Sequence, residues 1–530
     1  MRKVLIFGIF LTLLFSNVLC AQFNTTPSAN KLNMALFAIK NLYVDDVKEE
    51  KLVEEAIVAM VKKLDPHSAY MTADEMKDMN EPLQGGFDGI GISFNMMNDT
   101  LFVVEVISGG PSEKAGLLPG DRIIKVNDES IAGVKMPNSQ VMKRLKGPKG
   151  TLVNLDIKRR GMLDLMRFKI IRDKIPFYSV DASFMLDKKI GYIIISRFGA
   201  STMEEFRKAF NELKSQGMTD LVLDLQSNGG GFMNVAVDLA DEFLSDGKGI
   251  VYTEGKNSPK MQSDATSAGL FEKGKLIILI DEYSASASEI VSGAVQDWDR
   301  GVIVGRRSFG KGLVQRPLQL SDGSYLKLTV SRYYTPSGRF IQKPYEDIDN
   351  YSKDVIDRYN RGEMIHEDSI HFPDSLRTST LVNKRKIYGG GGIMPDVFVP
   401  LDTTSMTTLH RKFNSLGILN RFSLQYVDNH RKELSDAYIE PSEFIKKYTI
   451  SEEILQELLI FAEKDKVVLT DLEKSSDKKL LLKQLKANMA RDLWKTPEYY
   501  KVMWDENESL MQAIKILKEK NRYEEILNKK

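Results

Sequence analysis

Two short segments of the chain contain residue types that could transfer an acyl group. The first is a run of alternating serines and alanines at 284–288, which follows the apolar stretch 276–280. A strand that leads through such a run into a helix places a serine hydroxyl near the unpaired N–H groups of the helix N-terminus. The second segment places Lys311 between two glycines, beside apolar and aromatic residues. Because burial lowers the pKa of a lysine, this side chain could act as a general base.

Each segment also has a simpler interpretation, which spacing alone does not exclude. N-capping of a helix accounts for the serines, and an exposed turn accounts for Lys311. The same holds for Asn228 and the three glycines after it, which follow the apolar stretch 221–225. Their backbone N–H groups could hold a phosphate or an oxyanion, or the run could be a tight turn. It lacks both the Walker lysine and the G-x-G-x-x-G spacing, so nucleotide binding is not favoured.

The five histidines do not form a catalytic or metal-binding pattern. His366 and His371 are five residues apart, whereas two zinc ligands on one face of a helix are four apart. We therefore expect them on the surface of a polar segment, and we predict no metal site. The chain also lacks a G-x-S-x-G nucleophile elbow. A serine hydrolase that depends on histidine is not favoured.

The composition indicates an exported protein of several globular domains. A length of 530 residues exceeds what one hydrophobic core usually supports. The net charge of +1 gives no reason to expect nucleic acid as a partner. Residues 1–21 combine a basic start, an apolar run and a small residue at the end, which predicts a cleaved signal peptide. Cleavage there would remove Cys20, the only cysteine, although a lipoprotein site before Cys20 and an uncleaved membrane anchor are alternatives.

The pattern of apolar residues divides the rest of the chain into four regions. Residues 22–84 are predicted to contain two amphipathic helices, and residues 85–173 alternate short β-rich runs with glycine turns. Residues 174–400 alternate strands with helices, which is typical of an α/β core, and include a polar stretch at 344–385 that we interpret as an insertion or lid. Residues 401–530 have no glycine after Gly417 and are expected to be mostly helical. The α/β region contains both chemical segments.

Together these segments resemble the C-terminal processing, or tail-specific, peptidases. Residues 284–289, followed by Phe309-Gly310-Lys311-Gly312-x-Val314-Gln315, are similar to the catalytic signature of that family. The resemblance extends over residues 30–400 through four further motifs: Leu64-Asp65-Pro66-His67-Ser68, Leu223-Asp224-Leu225, Thr335-Pro336-Ser337-Gly338-Arg339 and Gly391-Gly392-Ile393-Met394-Pro395-Asp396. It implies a multidomain α+β protein. The expected parts are an α/β, crotonase/ClpP-like peptidase core, a PDZ β domain, a helical N-terminal region and a mostly helical C-terminal domain.

The resemblance also implies roles for individual residues. In the family the nucleophile precedes the base by 25 positions, which implies Ser286 as the nucleophile and Lys311 as the general base. Gln315 would orient the lysine amine. The implied oxyanion donors are the backbone N–H of Ala287 and that of a glycine in the Gly229-Gly230 turn, for which we choose Gly230. The resemblance implies neither a metal ion nor an organic cofactor.

The β-rich region resembles a PDZ domain. Gly89, Ile90, Gly91 and Ile92 stand at the position of its carboxylate-binding loop, and the glycine-containing run 110–121 fits the same domain. In such a domain the loop N–H groups hold a free C-terminal carboxylate while the peptide adds as a strand to the sheet edge. The resemblance therefore implies capture of protein or peptide substrates with apolar C-termini.

The implied function is that of an exported serine endopeptidase that acts on C-terminal tails of envelope or secreted proteins, in the periplasm or at the envelope. An adaptor protein and a homo-oligomer are compatible with this function. The chain departs from the family at Gln226, where relatives often carry arginine, and in the insertion and C-terminal domain. A non-catalytic PDZ scaffold and a binder of small ligands or lipids are alternatives. The serine, lysine and glutamine in register argue against both.

Overall fold

The described residues belong to two compact units. The computed structural model describes residues 26–97, 99–107, 109–403, 408–467 and 477–529. One unit extends to Leu64 and includes Ser68–Tyr70, and the other comprises Asp65–His67 and the chain from Met71 onward. The predicted signal segment, with Cys20, lies outside the described residues. Within these residues, no helix is long and apolar enough to cross a membrane.

The predicted helices of the N-terminal region are present. The elements here are α1 (Pro27–Leu42), α2 (Glu49–Val61), β1 (Ala69–Met71) and α3 (Ala73–Asn80). Most apolar side chains of α1 are exposed, Leu32 and Phe37 among them. Helix α3 is an additional element without a sequence prediction. Thr72 begins it by accepting the N–H of Glu75 (3.2 Å), while the Glu75 carboxylate accepts the N–H of Thr72 (2.8 Å), a reciprocal cap.

The β-rich region forms a small domain around its own apolar core. Strands β3, β4, β5, β7 and β8 form an antiparallel sheet in that order, while β2 pairs with β9. Alternate residues of β7 point inward, so that Val153, Leu155 and Ile157 are buried. The elements are β2 (Gly86–Gly89), β3 (Ile92–Met97), β4 (Thr100–Val106), α4 (Pro111–Ala115), β5 (Arg122–Val126), β6 (Glu129–Ser130), α5 (Asn138–Leu145), β7 (Leu152–Lys158), β8 (Met166–Ile171) and β9 (Asp173–Pro176).

The α/β region is built on a six-stranded sheet of order β10-β11-β12-β15-β16-β21, parallel except for β10. Its central strands are buried on both faces, which explains their continuous apolar sequences. Helices α6 to α8 cover one face. The elements are β10 (Val180–Met185), β11 (Ile190–Ile195), α6 (Thr202–Ser215), β12 (Asp220–Asp224), α7 (Met233–Asp241), β13 (Gly249–Gly255), β14 (Ser258–Asp264), β15 (Leu276–Ile280), α8 (Ala287–Asp297) and β16 (Val302–Gly305).

A second, antiparallel sheet is interleaved with the main sheet along the chain, because β13 and β14 belong to it. It contains β17 (Leu313–Gln319) and β18 (Tyr325–Tyr334), with β18 also pairing with β13. The polar stretch predicted at 344–385 is ordered rather than irregular: it contains helix α9 (Ile348–Asn360), two short 3₁₀ turns and β19 (Arg377–Ser379). Strand β20 (Lys386–Tyr388) pairs with β19, and β21 (Val397–Phe398) completes the main sheet.

The glycine-free C-terminal region is helical, as predicted. Helices α10 to α15 share a separate apolar core, whereas α16 and α17 cover the second face of the main sheet. The helices are α10 (Thr408–Ser415), α11 (Ile418–Ala437), α12 (Pro441–Lys447), α13 (Glu452–Glu463), α14 (Asp477–Leu493), α15 (Thr496–Met503), α16 (Glu508–Lys518) and α17 (Arg522–Leu527).

Candidate active site

Ser286 stands at the turn between strand β15 and helix α8. Its backbone has φ +56° and ψ −110°, a conformation that a residue with a side chain rarely adopts. Two bonds hold it there: the N–H donates to Oε2 of Glu289 (2.8 Å), and the carbonyl oxygen accepts the hydroxyl of Tyr333 (3.2 Å). The strained turn therefore directs a partly exposed serine into a cavity.

The other two serines of the run have structural roles, because their hydroxyls bind backbone carbonyl groups. The hydroxyl of Ser284 donates to the carbonyl of Leu225 (2.7 Å). The hydroxyl of Ser288 donates to the carbonyl of Asn228 (2.8 Å). Both serines are fully buried. Of the three serines, Ser286 is the one that lines the cavity.

Lys311 lines the same cavity from the loop between β16 and β17. Its pKa lies below the ordinary lysine value because the side chain is largely buried, and the nearby charge of Lys327 lowers that pKa further. Glu289 and Asp65 act in the opposite direction. A lysine with a lowered pKa is neutral more of the time, which is what a general base requires.

Glu289 joins the serine turn to the lysine loop. Its side chain is completely buried, and burial raises its pKa. The carboxylate accepts four hydrogen bonds, from the N–H groups of Ser286 (2.8 Å), Gly310 (2.7 Å) and Lys311 (2.9 Å) and from the hydroxyl of Ser308 (2.5 Å). The sequence pattern placed Glu289 in the signature without a role. Its spacing, three residues after a helix-capping serine, is the signal of a capping box.

The two predicted oxyanion donors differ in their surroundings. Ala287 is the first residue of α8, so its N–H has no acceptor within the helix. Gly230 packs so closely that a Cβ would lie 2.9 Å from that of Ser286, but its N–H donates to Oδ1 of Asn228 (2.9 Å). The role of Gly230 as an oxyanion donor therefore stays a prediction, and it requires this N–H to leave the Asn228 side chain. The exposed Gly229 lines the cavity, and its N–H has no acceptor among the residues described.

Gln315 lines the cavity, but its side-chain hydrogen bond is to Thr329 and not to Lys311. Its side-chain amide donates to the hydroxyl of Thr329 (3.1 Å), and that hydroxyl donates to Oδ1 of Asp65 (3.0 Å). Asp65 also accepts the N–H of His67 (2.8 Å). The predicted contact between Gln315 and the lysine amine stays a prediction, while the link from Gln315 to Asp65 had no sequence prediction.

His67 lies beside this group of residues. Burial, followed by the charge of Lys311, lowers its pKa to about 4, so that the imidazole is neutral near pH 7. Its Nε2 is 2.7 Å from the hydroxyl of Tyr351 in helix α9. His366 and His371 are exposed, as predicted. Among the described residues, no group of His, Cys, Asp and Glu is arranged to hold a metal ion.

The cavity has a volume of about 620 Å³ and an open, largely apolar wall. Beside Ser286 and Lys311, side chains from α3, α7, α8 and the second sheet enclose it. These include Met76, Met79, Leu83, Phe232, Ile290, Leu313, Lys327 and Tyr333. An apolar cleft next to a serine and a lysine is suited to an extended peptide with apolar side chains.

The predicted tail-binding residues lie in the β domain and not in this cavity. Gly89 ends β2, Ile92 begins β3, and Ile90 is buried in the core of the domain. Gly91 has φ +76°, and its carbonyl accepts the N–H of Ile107 (3.0 Å). The four residues therefore form the connection between β2 and β3.

Gln226 has a structural counterpart in the C-terminal region. Its side-chain oxygen accepts the amide of Asn507 (2.7 Å), and its amide lies 3.5 Å from the hydroxyl of Ser509. A glutamine here thus connects the loop after β12 to the start of α16. This contact gives the departure from arginine a local explanation.

Four protein-family models match different parts of the chain. The model of peptidase family S41 matches residues 189–350, and the PDZ domain model matches residues 89–170. The N-terminal domain of the activating protease CtpB matches residues 18–75. A family of unknown function, DUF8443, matches residues 409–495. The S41 match contains Ser286, Lys311 and Gln315.

Proteins of similar sequence are named as carboxy-terminal processing proteases. The carboxy-terminal-processing protease of Bartonella bacilliformis is 38% identical over 64% of this chain and 80% of its own length. The carboxy-terminal processing protease CtpA of Bacillus subtilis is 36% identical over 59% of this chain and 66% of its own length, just under two thirds. A solved photosystem II D1 C-terminal processing protease is 28% identical, covers 59% of this chain and 90% of its own, and has a TM-score of 0.34.

Proposed function

Because the chain belongs to the carboxy-terminal-processing proteases of peptidase family S41 and is a serine-type peptidase, we propose that Ser286 and Lys311 form its catalytic dyad. One observation carries this assignment. Both side chains line one cavity, and the backbone N–H groups of both residues bind the carboxylate of Glu289. A shared buried acceptor fixes the turn that carries the nucleophile relative to the loop that carries the base.

The reaction is an acyl transfer in two stages. Neutral Lys311 takes the hydroxyl proton of Ser286, whose oxygen attacks a peptide carbonyl. The N–H of Ala287 donates to the resulting oxyanion, and the unpaired N–H of Gly229 is the second donor we propose in place of Gly230. The lysine ammonium then protonates the leaving amine. Water then attacks the ester on Ser286: Lys311 accepts a proton from that water and passes it to the Ser286 oxygen as the carboxylic acid product leaves, which restores the serine and the neutral lysine.

The substrates we propose are proteins and peptides with apolar C-terminal tails. The PDZ domain would bind the tail, and the apolar wall of the catalytic cavity would receive the segment to be cut. The N-terminal signal segment, if cleaved, would place this activity outside the cytoplasm, on envelope or secreted proteins. The adaptor protein and the homo-oligomer compatible with the sequence remain predictions.

The experiment compares the purified protein with its Ser286→Ala variant on a loosely folded protein that ends in an apolar tail. Intact mass would follow the products, and we expect shortening from the C-terminal side that requires Ser286. His371→Ala is a suitable control because this side chain is exposed and lies outside the cavity. Equal cleavage by the Ser286→Ala variant would contradict the assignment. A second substrate with a charged C-terminal residue should be cut more slowly if the tail is captured.

A further inference from the structure

Helix α9 belongs to the polar segment 344–385, which we interpret as an insertion or lid. The match to peptidase family S41 ends at residue 350, so nearly all of α9 lies beyond it. Nevertheless α9 packs directly on the loop that carries Lys311. Its contacts come from Tyr351 at the start of the helix and Arg358 near its end.

Arg358 binds the backbone of the lysine loop. Its side chain is 2% exposed, Nη1 donates to the carbonyl of Ser308 (3.0 Å), and Nη2 donates to the carbonyl of Arg307 (2.6 Å). Burial is the main cause that lowers its pKa, to about 10, so the guanidinium keeps its charge at neutral pH. Charged donors form stronger hydrogen bonds than neutral donors, and they fix these two carbonyl groups just before the lysine.

Tyr351 contacts Phe309, the aromatic residue that comes just before Gly310 and Lys311. Its ring packs edge-on against Phe309 with the ring centres 5.9 Å apart, while its hydroxyl is bonded to His67. Lys343 strengthens the contact. Its ammonium lies 3.8 Å from the centre of the Phe309 ring and 2.9 Å from the carboxylate of Asp354 in α9.

The lysine loop is thus held from two sides. Glu289 binds its N–H groups from the core, and α9 binds its carbonyl groups and the ring of Phe309 from the inserted segment. The loop needs such support because Gly310, next to the lysine, has φ +89° and little conformational preference of its own. Without the contacts from α9, Lys311 would have more freedom to leave the cavity for water.

We propose that α9 positions the catalytic lysine, with Arg358 and Tyr351 as positioning residues that keep the Lys311 amine desolvated in the cavity that also contains Ser286. This proposal rests on the dyad of the proposed function. The helix is then part of the catalytic apparatus of this chain, although neither residue lines the cavity. A base displaced by about 1 Å can lose on the order of 10²-fold in rate, so the effect should be measurable.

The test compares Arg358→Met and Tyr351→Phe with Lys353→Met, which removes a positive charge from an exposed position of the same helix. For Arg358→Met we expect kcat to fall about 10²-fold, with KM nearly unchanged. The pH dependence of kcat should also move to higher pH, because a hydrated Lys311 regains its ordinary pKa. Arg358→Lys should recover part of the rate, Tyr351→Phe should lose less, and Lys353→Met should match the parent protein.

Hydrogen exchange of the amides at 307–312 gives a second readout that does not depend on turnover. Faster exchange in folded Arg358→Met, but not in Lys353→Met, supports the proposal. Parental kcat, pH dependence and exchange in a folded Arg358→Met variant would overturn it. If that variant does not fold, Tyr351→Leu, which removes the ring contact with Phe309, is judged by the same three measurements. If the parent protein shows no cleavage that depends on Ser286, the proposed function fails, while unchanged exchange at 307–312 would separately show that α9 does not hold the loop.

Discussion

The serine turn and the lysine loop are built in different ways. Ser286 stands between a completely buried strand and a completely buried helix, and its two hydrogen-bond partners, Glu289 and Tyr333, are both buried in the core. Lys311 lies in a glycine-flanked loop whose support comes from Glu289, 22 positions earlier, and from Arg358, 47 positions later. The position of the nucleophile is therefore a property of the core, whereas the position of the base depends on several parts of the chain.

The largest expected effect tests whether Ser286 and Lys311 are both needed for cleavage. Ser286→Ala and Lys311→Ala should each reduce kcat/KM by at least about 10⁴-fold, because members of a catalytic unit are lost together. The double variant should be no slower than either single variant. Rates measured on one peptide substrate would check this, and an active Lys311→Ala enzyme would disprove the dyad.

The next effect concerns the residue that joins the two halves. Glu289→Gln replaces a carboxylate acceptor of four hydrogen bonds by an amide with one acceptor oxygen. We expect kcat/KM to fall about 10²-fold through misplacement of the dyad, together with a lower melting temperature. Glu242→Gln changes another buried carboxylate, one that does not line the cavity, and provides the control. Equal activity of the two variants would mean that Glu289 does not align the dyad.

A smaller effect addresses the lysine half alone. Lys327 lines the cavity, and its charge lowers the pKa of Lys311. Lys327→Met should therefore raise the pKa of Lys311. The rising limb of the pH–rate profile would move to higher pH, with slower cleavage near pH 7 and recovery in alkali. Lys327→Arg keeps the charge and should keep the parental profile. Identical profiles for both variants would contradict an electrostatic role of Lys327.

The smallest effect separates the dyad from a mechanism that uses histidine. His67 has a pKa of about 4 and contacts Tyr351, and no sequence motif pairs it with Ser286. We expect His67→Ala to retain kcat within about threefold, a loss well below 1.4 kcal/mol of activation free energy. A loss comparable to that of Lys311→Ala would mean that the assignment of Lys311 as the general base is wrong.

Local signals explain which parts could be predicted from sequence. Ser286 and Lys311 stand in a short signature, and the buried strands, the PDZ region and the glycine-free helices have clear periodicity. The bonds of Glu289 to the lysine loop, and of α9 to the same loop, depend on packing between distant segments. The choice between Gly229 and Gly230 depends on where the Asn228 side chain points. Such contacts leave no periodic pattern in the sequence.

The cover of the main sheet has a consequence for how the protein is made. The second face of β15 packs against α16, and about 230 residues separate Leu279 from Leu510. At typical synthesis rates this apolar face would wait roughly 10 to 50 s for its partner. Contacts of such long sequence separation form slowly, and exposed apolar strands aggregate meanwhile. Production of this enzyme should therefore depend on chaperones or on slow, cool expression more than its ordinary composition suggests.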